Sequence, residues 1–188
     1  SFDYLQYGKY PPSLRNTLIL KLMRDVVRDC LITVLRERES LVYSPYISLS
    51  CRALPDSLYH FDINASVDSS NTARVYSILD GILEDLQKNR ISAKELRTKK
   101  RIFNVNKRTW LEEDATANWK GYLVDELKNG ESMADFENYE KILDSITPED
   151  LREGFRKYID RSDFVILSLG DFDYEGRPEE SVTHVSAS

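Results

Sequence analysis

Apolar residues arrive in pairs every four positions: Leu18/Ile19, Leu22/Met23, Val26/Val27, Cys30/Leu31 and Val34/Leu35. That recurrence predicts a long amphipathic helix over about residues 13–37, with a broad buried stripe. Pro11 and Pro12 suit its entry. Lys21, Arg24, Asp25, Arg28 and Asp29 fall on the opposite side. After the helix the period drops to two. Ile47, Leu49, Cys51 and Ala53 alternate with Ser48, Ser50 and Arg52. Tyr59, Phe61, Ile63, Ala65 and Val67 alternate with His60, Asp62, Asn64, Ser66 and Asp68. Pro55-Asp56-Ser57 lies between the two runs and signals a turn. The pattern predicts an antiparallel hairpin with one face on a core and one face polar. Pro45 marks an edge, bend or bulge at the start of its first strand.

The middle of the chain returns to helical spacing. A helix capped by Ser70 or Asn71 runs to about residue 88, with Val75, Ile78, Leu79, Ile82, Leu83 and Leu86 inward. Ser92 and Glu95 form a capping-box pair that opens the next helix, which reaches residue 110 or 111. Further helices are predicted over 115–128, 133–143 and 148–159, the last announced by Thr147-Pro148-Glu149-Asp150. The run Phe164-Val165-Ile166-Leu167-Ser168-Leu169-Gly170 is almost wholly apolar and reads as a strand covered on both sides or lying mid-sheet. The order is helix, hairpin, several helices, last strand. It argues an α+β fold: a mostly antiparallel sheet with helices packed on one face. The chain reads as one domain over 1–188, with an irregular lead-in at 1–12, a core at 13–171 and a flexible tail at 172–188.

Composition narrows the function classes. The net charge is −6 over 188 residues, and no dense basic patch exists to neutralise phosphates, which argues against nucleic acid as a partner. The stripe Arg97, Lys99, Lys100, Arg101, Lys107, Arg108 reads as an exposed helix face. No apolar run approaches the length of a membrane span, so no membrane partner is expected. Composition leaves the compartment open. Cys30 and Cys51 read as two thiols on apolar faces, and their spacing does not decide whether they pair.

Most familiar catalytic apparatus is missing. No H-E-x-x-H, H-x-x-E-H, G-x-S-x-G, Gly-rich phosphate loop or C-x-x-C occurs, and the two histidines, His60 and His184, stand far apart. No metal ligand set is expected in this chain. One junction carries chemistry. Leu35-Arg36-Glu37-Arg38-Glu39-Ser40-Leu41-Val42-Tyr43 joins the long helix to the first hairpin strand and sets Arg36 and Tyr43 seven residues apart. A guanidinium holds a carboxylate or a peptide carbonyl in a fixed fork. A phenol donates to an oxygen that gains negative charge during reaction. On the residues alone, a surface arginine and a half-buried strand tyrosine fit the same run.

The ordered set resembles the C-terminal, zinc-free half of the pitrilysin/insulinase-type zinc peptidases. The resemblance rests on Leu35-Arg36, Glu39, Leu41 and Tyr43 directly after a long apolar helix. The polar-faced hairpin, the helix starts at Ser92-Ala93-Lys94-Glu95-Leu96 and Thr147-Pro148-Glu149-Asp150-Leu151, and the final strand ending at Gly170-Asp171 support it. It implies a peptidase that closes two similar halves around an unfolded peptide. The other half would carry zinc on an H-x-x-E-H motif, and this chain alone would be inactive. Arg36 would hold the substrate backbone and Tyr43 the tetrahedral oxyanion, while Ser48, Ser50, Arg52, His60, Asp62 and Asn64 would line the chamber and bind substrate. The implied partners are a peptide substrate and the zinc-carrying half, on the same or a separate chain. Two departures stand out. Val42 occupies a position where relatives often have glycine, and the chain starts close to the helix, so it resembles a fragment truncated on its N-terminal side. Open sheet edges would then favour homo-oligomers. The alternative is a non-catalytic structural or interaction subunit of the same fold.

Overall fold

A computed structural model describes residues 1–42, 45–113 and 132–168, together with positions 118, 120, 121 and 124. The predicted helix at 115–128, the tail at 172–188 and Tyr43 fall outside the described residues, wholly or nearly so.

The chain opens with a strand, β1 (Phe2–Lys9). It is followed by α1 (Leu14–Leu31), a π-helical segment (Ile32–Arg38), and the hairpin β2 (Tyr46–Arg52) and β3 (Leu58–Ala65). A 3₁₀ turn at Ser69–Asn71 leads into α2 (Thr72–Lys88), and α3 (Ala93–Glu113) follows. The last elements are α4 (Met133–Glu137), α5 (Tyr139–Ser145), α6 (Pro148–Tyr158) and β4 (Val165–Ser168). The four strands form one antiparallel sheet in the order β2-β3-β1-β4. The fold is α+β, with the helices packed on one face.

The lead-in at 1–12 is therefore not irregular. Residues 2–9 occupy an inner position of the sheet, paired with β3 over Phe2↔Ala65 to Lys9↔Leu58 and with β4 over Phe2↔Ser168 to Leu5↔Val165. Phe2, Tyr4 and Gln6 point into the core and are almost fully buried. Gln6 is tolerated there because its amide is satisfied: Tyr4 Oη donates to Gln6 Oε1 at 3.1 Å, and Gln6 Nε2 donates to the Asp163 carbonyl at 2.8 Å. Gly8 is required by close approach, since a Cβ there would lie 2.9 Å from the Tyr59 ring. The 164–170 run is corrected too. β4 is an edge strand, and its burial alternates, with Ile166 and Ser168 covered and Leu167 exposed.

α1 is the central helix. Leu18, Leu20, Leu22, Met23, Val26, Val27 and Leu31 are buried around most of its circumference, and it contacts β2, α2, α5 and α6. Ser13 caps its start, accepting from the Asn16 N–H at 3.2 Å. Asp25 is also buried. Arg24 holds its carboxylate through Nε at 2.9 Å and through Nη2 at 2.8 Å. Lys99 leaves the expected exposed stripe and is 5% accessible. Its ammonium bonds the Asp25 carbonyl at 3.0 Å and Asp29 Oδ2 at 2.5 Å, which ties α3 to α1.

Thr147 and Asp150 make the full reciprocal capping box at the start of α6. The expected single helix over 133–143 is broken at Asn138 into α4 and α5. Cys30 and Cys51 are half-buried thiols and are not joined in a disulfide. Burial raises the Cys30 thiol above its ordinary range, aided by Glu95 and Asp29.

Candidate functional site

The Arg36 junction is built by a change of helix type. On an α-helix each four-residue step overshoots a full turn by about 40°, so a four-residue repeat drifts around the axis. The drift is visible in burial. Both members of the pairs Leu18/Ile19, Leu22/Met23 and Val26/Val27 are buried, but then only Leu31 and Leu35 of their pairs. From Ile32 the chain widens into π turns, which advance more residues per turn and return Leu35 to the core at 1% exposure. Arg36, the next residue, faces solvent.

The segment then closes on itself. The Glu39 N–H donates to the Val34 carbonyl at 3.0 Å and the Leu41 N–H to the Leu35 carbonyl at 2.8 Å, while Ser40 adopts a left-handed conformation at φ 52°. Glu39 pairs with Arg74 of α2, which fastens the turn to the helix layer. Val42 is 5% exposed. The Val42 side chain is thus part of the core, and Leu35 and Val42 anchor the two ends of a short exposed turn that carries Arg36. Tyr43 follows directly and lies outside the described residues.

The six hairpin residues expected to bind substrate share the sheet face opposite the helices. Register places Ser48 beside Asp62, Ser50 beside His60, and Arg52 beside Leu58 on β2 and β3. The inner strand β1, missed as a strand in the sequence, extends the same rows. Asp3 lies beside Asn64, Leu5 beside Asp62, Tyr7 beside His60 and Lys9 beside Leu58. Asn64 Nδ2 donates to Asp3 Oδ1 at 2.5 Å. Burial raises the Asp62 carboxyl above its usual range, the Asp3 charge adds to this, and His60 opposes it. Asp62 Oδ1 has no hydrogen-bond partner among the described residues. Arg36 lies near the end of the π-helical segment and belongs to none of these strands.

Among the described residues no group of His, Cys, Asp and Glu is arranged to hold a metal ion. No described helix is long and apolar enough to cross a membrane.

No family profile and no curated protein sequence matches the chain. Solved structures do. The periplasmic protease PqqL of Escherichia coli superposes with a TM-score of 0.70 at 16% identity, over 84% of this chain and 17% of that one. A peptidase M16 inactive domain from Pseudomonas fluorescens gives 0.70 at 18% identity, over 88% of this chain and 40% of that one. An inactive peptidase domain from Bordetella parapertussis gives 0.68 at 14% identity, over 96% of this chain and 95% of that one. The chain has the fold of the pitrilysin/insulinase-type peptidase domains, the same fold as domains described as inactive. It spans less than half of the first two of these proteins and nearly all of the third.

Proposed function

We propose that this chain is the zinc-free, substrate-gripping half of a peptidase that acts on unfolded peptides. Arg36 supplies a guanidinium to the peptide backbone, and Tyr43 supplies a phenol to the oxyanion of the tetrahedral intermediate. Zinc and its activated water belong to a separate half bearing H-x-x-E-H. The observation that carries the reading is the placement of Arg36. It sits on an exposed turn pinned at Leu35 and Val42 by burial, with Tyr43 one residue beyond the second pin. A group held by buried anchors on a rigid helix end loses little entropy when it meets a substrate.

Dividing the site between halves has a physical logic. The arginine and tyrosine act only when closure brings them to a peptide already engaged by the other half, and closure expels water. The open sheet face would line the resulting chamber.

The test is reconstitution. This chain, joined to or mixed with its H-x-x-E-H half, hydrolyses unfolded peptides, and neither half does so alone. Arg36→Ala lowers kcat/KM of the assembly at least tenfold with its fold intact by circular dichroism. Assembly without hydrolysis, or hydrolysis indifferent to Arg36, assigns the chain to a structural role instead.

A further inference from the structure

The open sheet face carries an ordered charge pattern. Its strands run in register, so its side chains form rows. One row holds Ser48, Asp62 and Leu5, the next Ser50, His60 and Tyr7, the next Arg52, Leu58 and Lys9. Asp3 extends the acidic end by one further row. The face is therefore acidic at one end and basic at the other. Lys9 and Arg52 are both exposed and form no ion pair among the described residues. Asp62 is part-exposed, with one buried oxygen that has no hydrogen-bond partner among the described residues. Tyr7 stands between the two ends with 61% of its surface exposed.

The spacing selects the occupant. Asp62 and Leu58 lie four residues apart on β3, so the acidic and basic rows are separated by about 13 Å. An extended peptide laid along the strands spans the same distance in four residues. Its positions i, i+2 and i+4 face the same way. The area of the face argues in the same direction. Four strands of this length present on the order of 500 Å², short of the roughly 800 Å² per partner of a stable protein interface but enough for one extended segment. A second copy of the chain is thus a poor fit.

We infer that this face reads an extended peptide carrying a basic residue and an acidic residue four positions apart, the basic one over Asp62 and Asp3, the acidic one over Lys9 and Arg52, and an apolar one over Tyr7 between them. The inference rests on the peptide-gripping reading above and names the substrate class for it. Opposite charges at this spacing would set both the position and the direction of the substrate along the strands, while the backbone stays free for the groups at the Arg36 junction.

The probe is a pair of fluorescent, unstructured nonapeptides of identical composition, one with Lys and Glu four positions apart and one with them five apart. The five-residue spacing sends the two charges to opposite sides of the strand. Binding to the chain is read by fluorescence anisotropy at low salt. The four-residue isomer binds about fivefold more tightly, as two solvent-exposed charge pairs allow, and the preference fades at high salt. Asp62→Asn and Lys9→Gln each reduce it to within about twofold, with the fold checked by circular dichroism. Equal affinity for the two isomers overturns the charge register and leaves peptide gripping standing. Absence of binding by both, together with an inactive reconstituted enzyme, overturns the inference and the peptidase reading together.

Discussion

The backbone N–H of Leu41 donates to the carbonyl of Leu35 across 2.8 Å, closing a seven-residue loop, Leu35 to Leu41, around Arg36 at the end of the π-helical segment. The loop is possible because Ser40 takes a left-handed conformation at φ 52°, an uncommon one for a residue with a Cβ. Serine avoids the crowding a β-branched side chain would bring. Ser40→Val should destabilise the fold by about 1–2 kcal/mol, whereas Ser40→Gly should be neutral or stabilising by a few tenths. Urea denaturation of the two variants checks the pair. Equal effects would show that the turn is not conformationally strained.

Tyr59 makes a second long-range tie. Its phenol donates to the Tyr158 carbonyl at 2.6 Å, joining the middle of the sheet to the last turn of α6, and the two rings meet edge to face at 5.3 Å. Tyr59→Phe should cost about 1–2 kcal/mol, the value of a hydrogen bond whose partner is left in the core. Burial and the neighbouring Tyr158 push the Tyr59 phenol up to about 12. The neutral phenol is the form the fold stabilises. Its contribution is complete below the unfolded value near 10 and is lost as pH climbs from there through about 12. Stability measured by urea titration should therefore fall across that window, and Tyr59→Phe should flatten part of the fall. Burial also raises the Tyr4 phenol, which supplies a further share. An alkaline limb unchanged by Tyr59→Phe would contradict the assignment.

Gly154 lets α6 approach α1. A Cβ at this position would lie 2.8 Å from Met23 Sδ and 2.9 Å from Ile19 Cγ2. Methionine can yield, but the branched isoleucine is stiff at χ1. Alanine gains about 1 kcal/mol of helix propensity over glycine, and overpacking of this kind costs about 1–3 kcal/mol. Gly154→Ala should accordingly be net destabilising by about 1 kcal/mol. Ile19→Ala, made in that background, should cost less than it does alone, as a double-mutant cycle would reveal. A stabilised Gly154→Ala variant would show that the helices have room to spare.

Much of this fold was legible in the chain. The paired apolar positions placed α1, and strict alternation placed β3 with the correct face inward. Thr147-Pro148-Glu149-Asp150 announced α6 through a capping box that is fully formed. Legibility failed where tertiary context satisfied residues that look wrong in isolation. Gln6 and Gly8 interrupt the buried face of β1, and Pro11-Pro12 follow closely, so the segment reads as a broken lead-in. Gln6 is buried only because Tyr4 and Asp163 satisfy its amide, and Gly8 stands in the strand because the Tyr59 ring leaves no room for a Cβ. The alternation of Phe2, Tyr4 and Gln6 with Asp3, Leu5 and Tyr7 was the available signal. The edge strand β4 was misplaced because Leu167 is apolar yet exposed. The candidate site was readable in its residue types and partly in its geometry. The hairpin face came from alternation, but the share contributed by Asp3, Tyr7 and Lys9 depended on finding β1. The π-helical widening left only a faint trace, a repeat of four where an α-helix turns in 3.6.

Steady-state kinetics of the assembled two-half enzyme carrying Tyr43→Phe tests the central claim most directly. A phenol that stabilises only the developing oxyanion contributes to the transition state and not to substrate binding. The account predicts a fall in kcat of about tenfold to a thousandfold with KM little changed. A variant with unaltered kcat, or one whose loss appears entirely in KM, would contradict it.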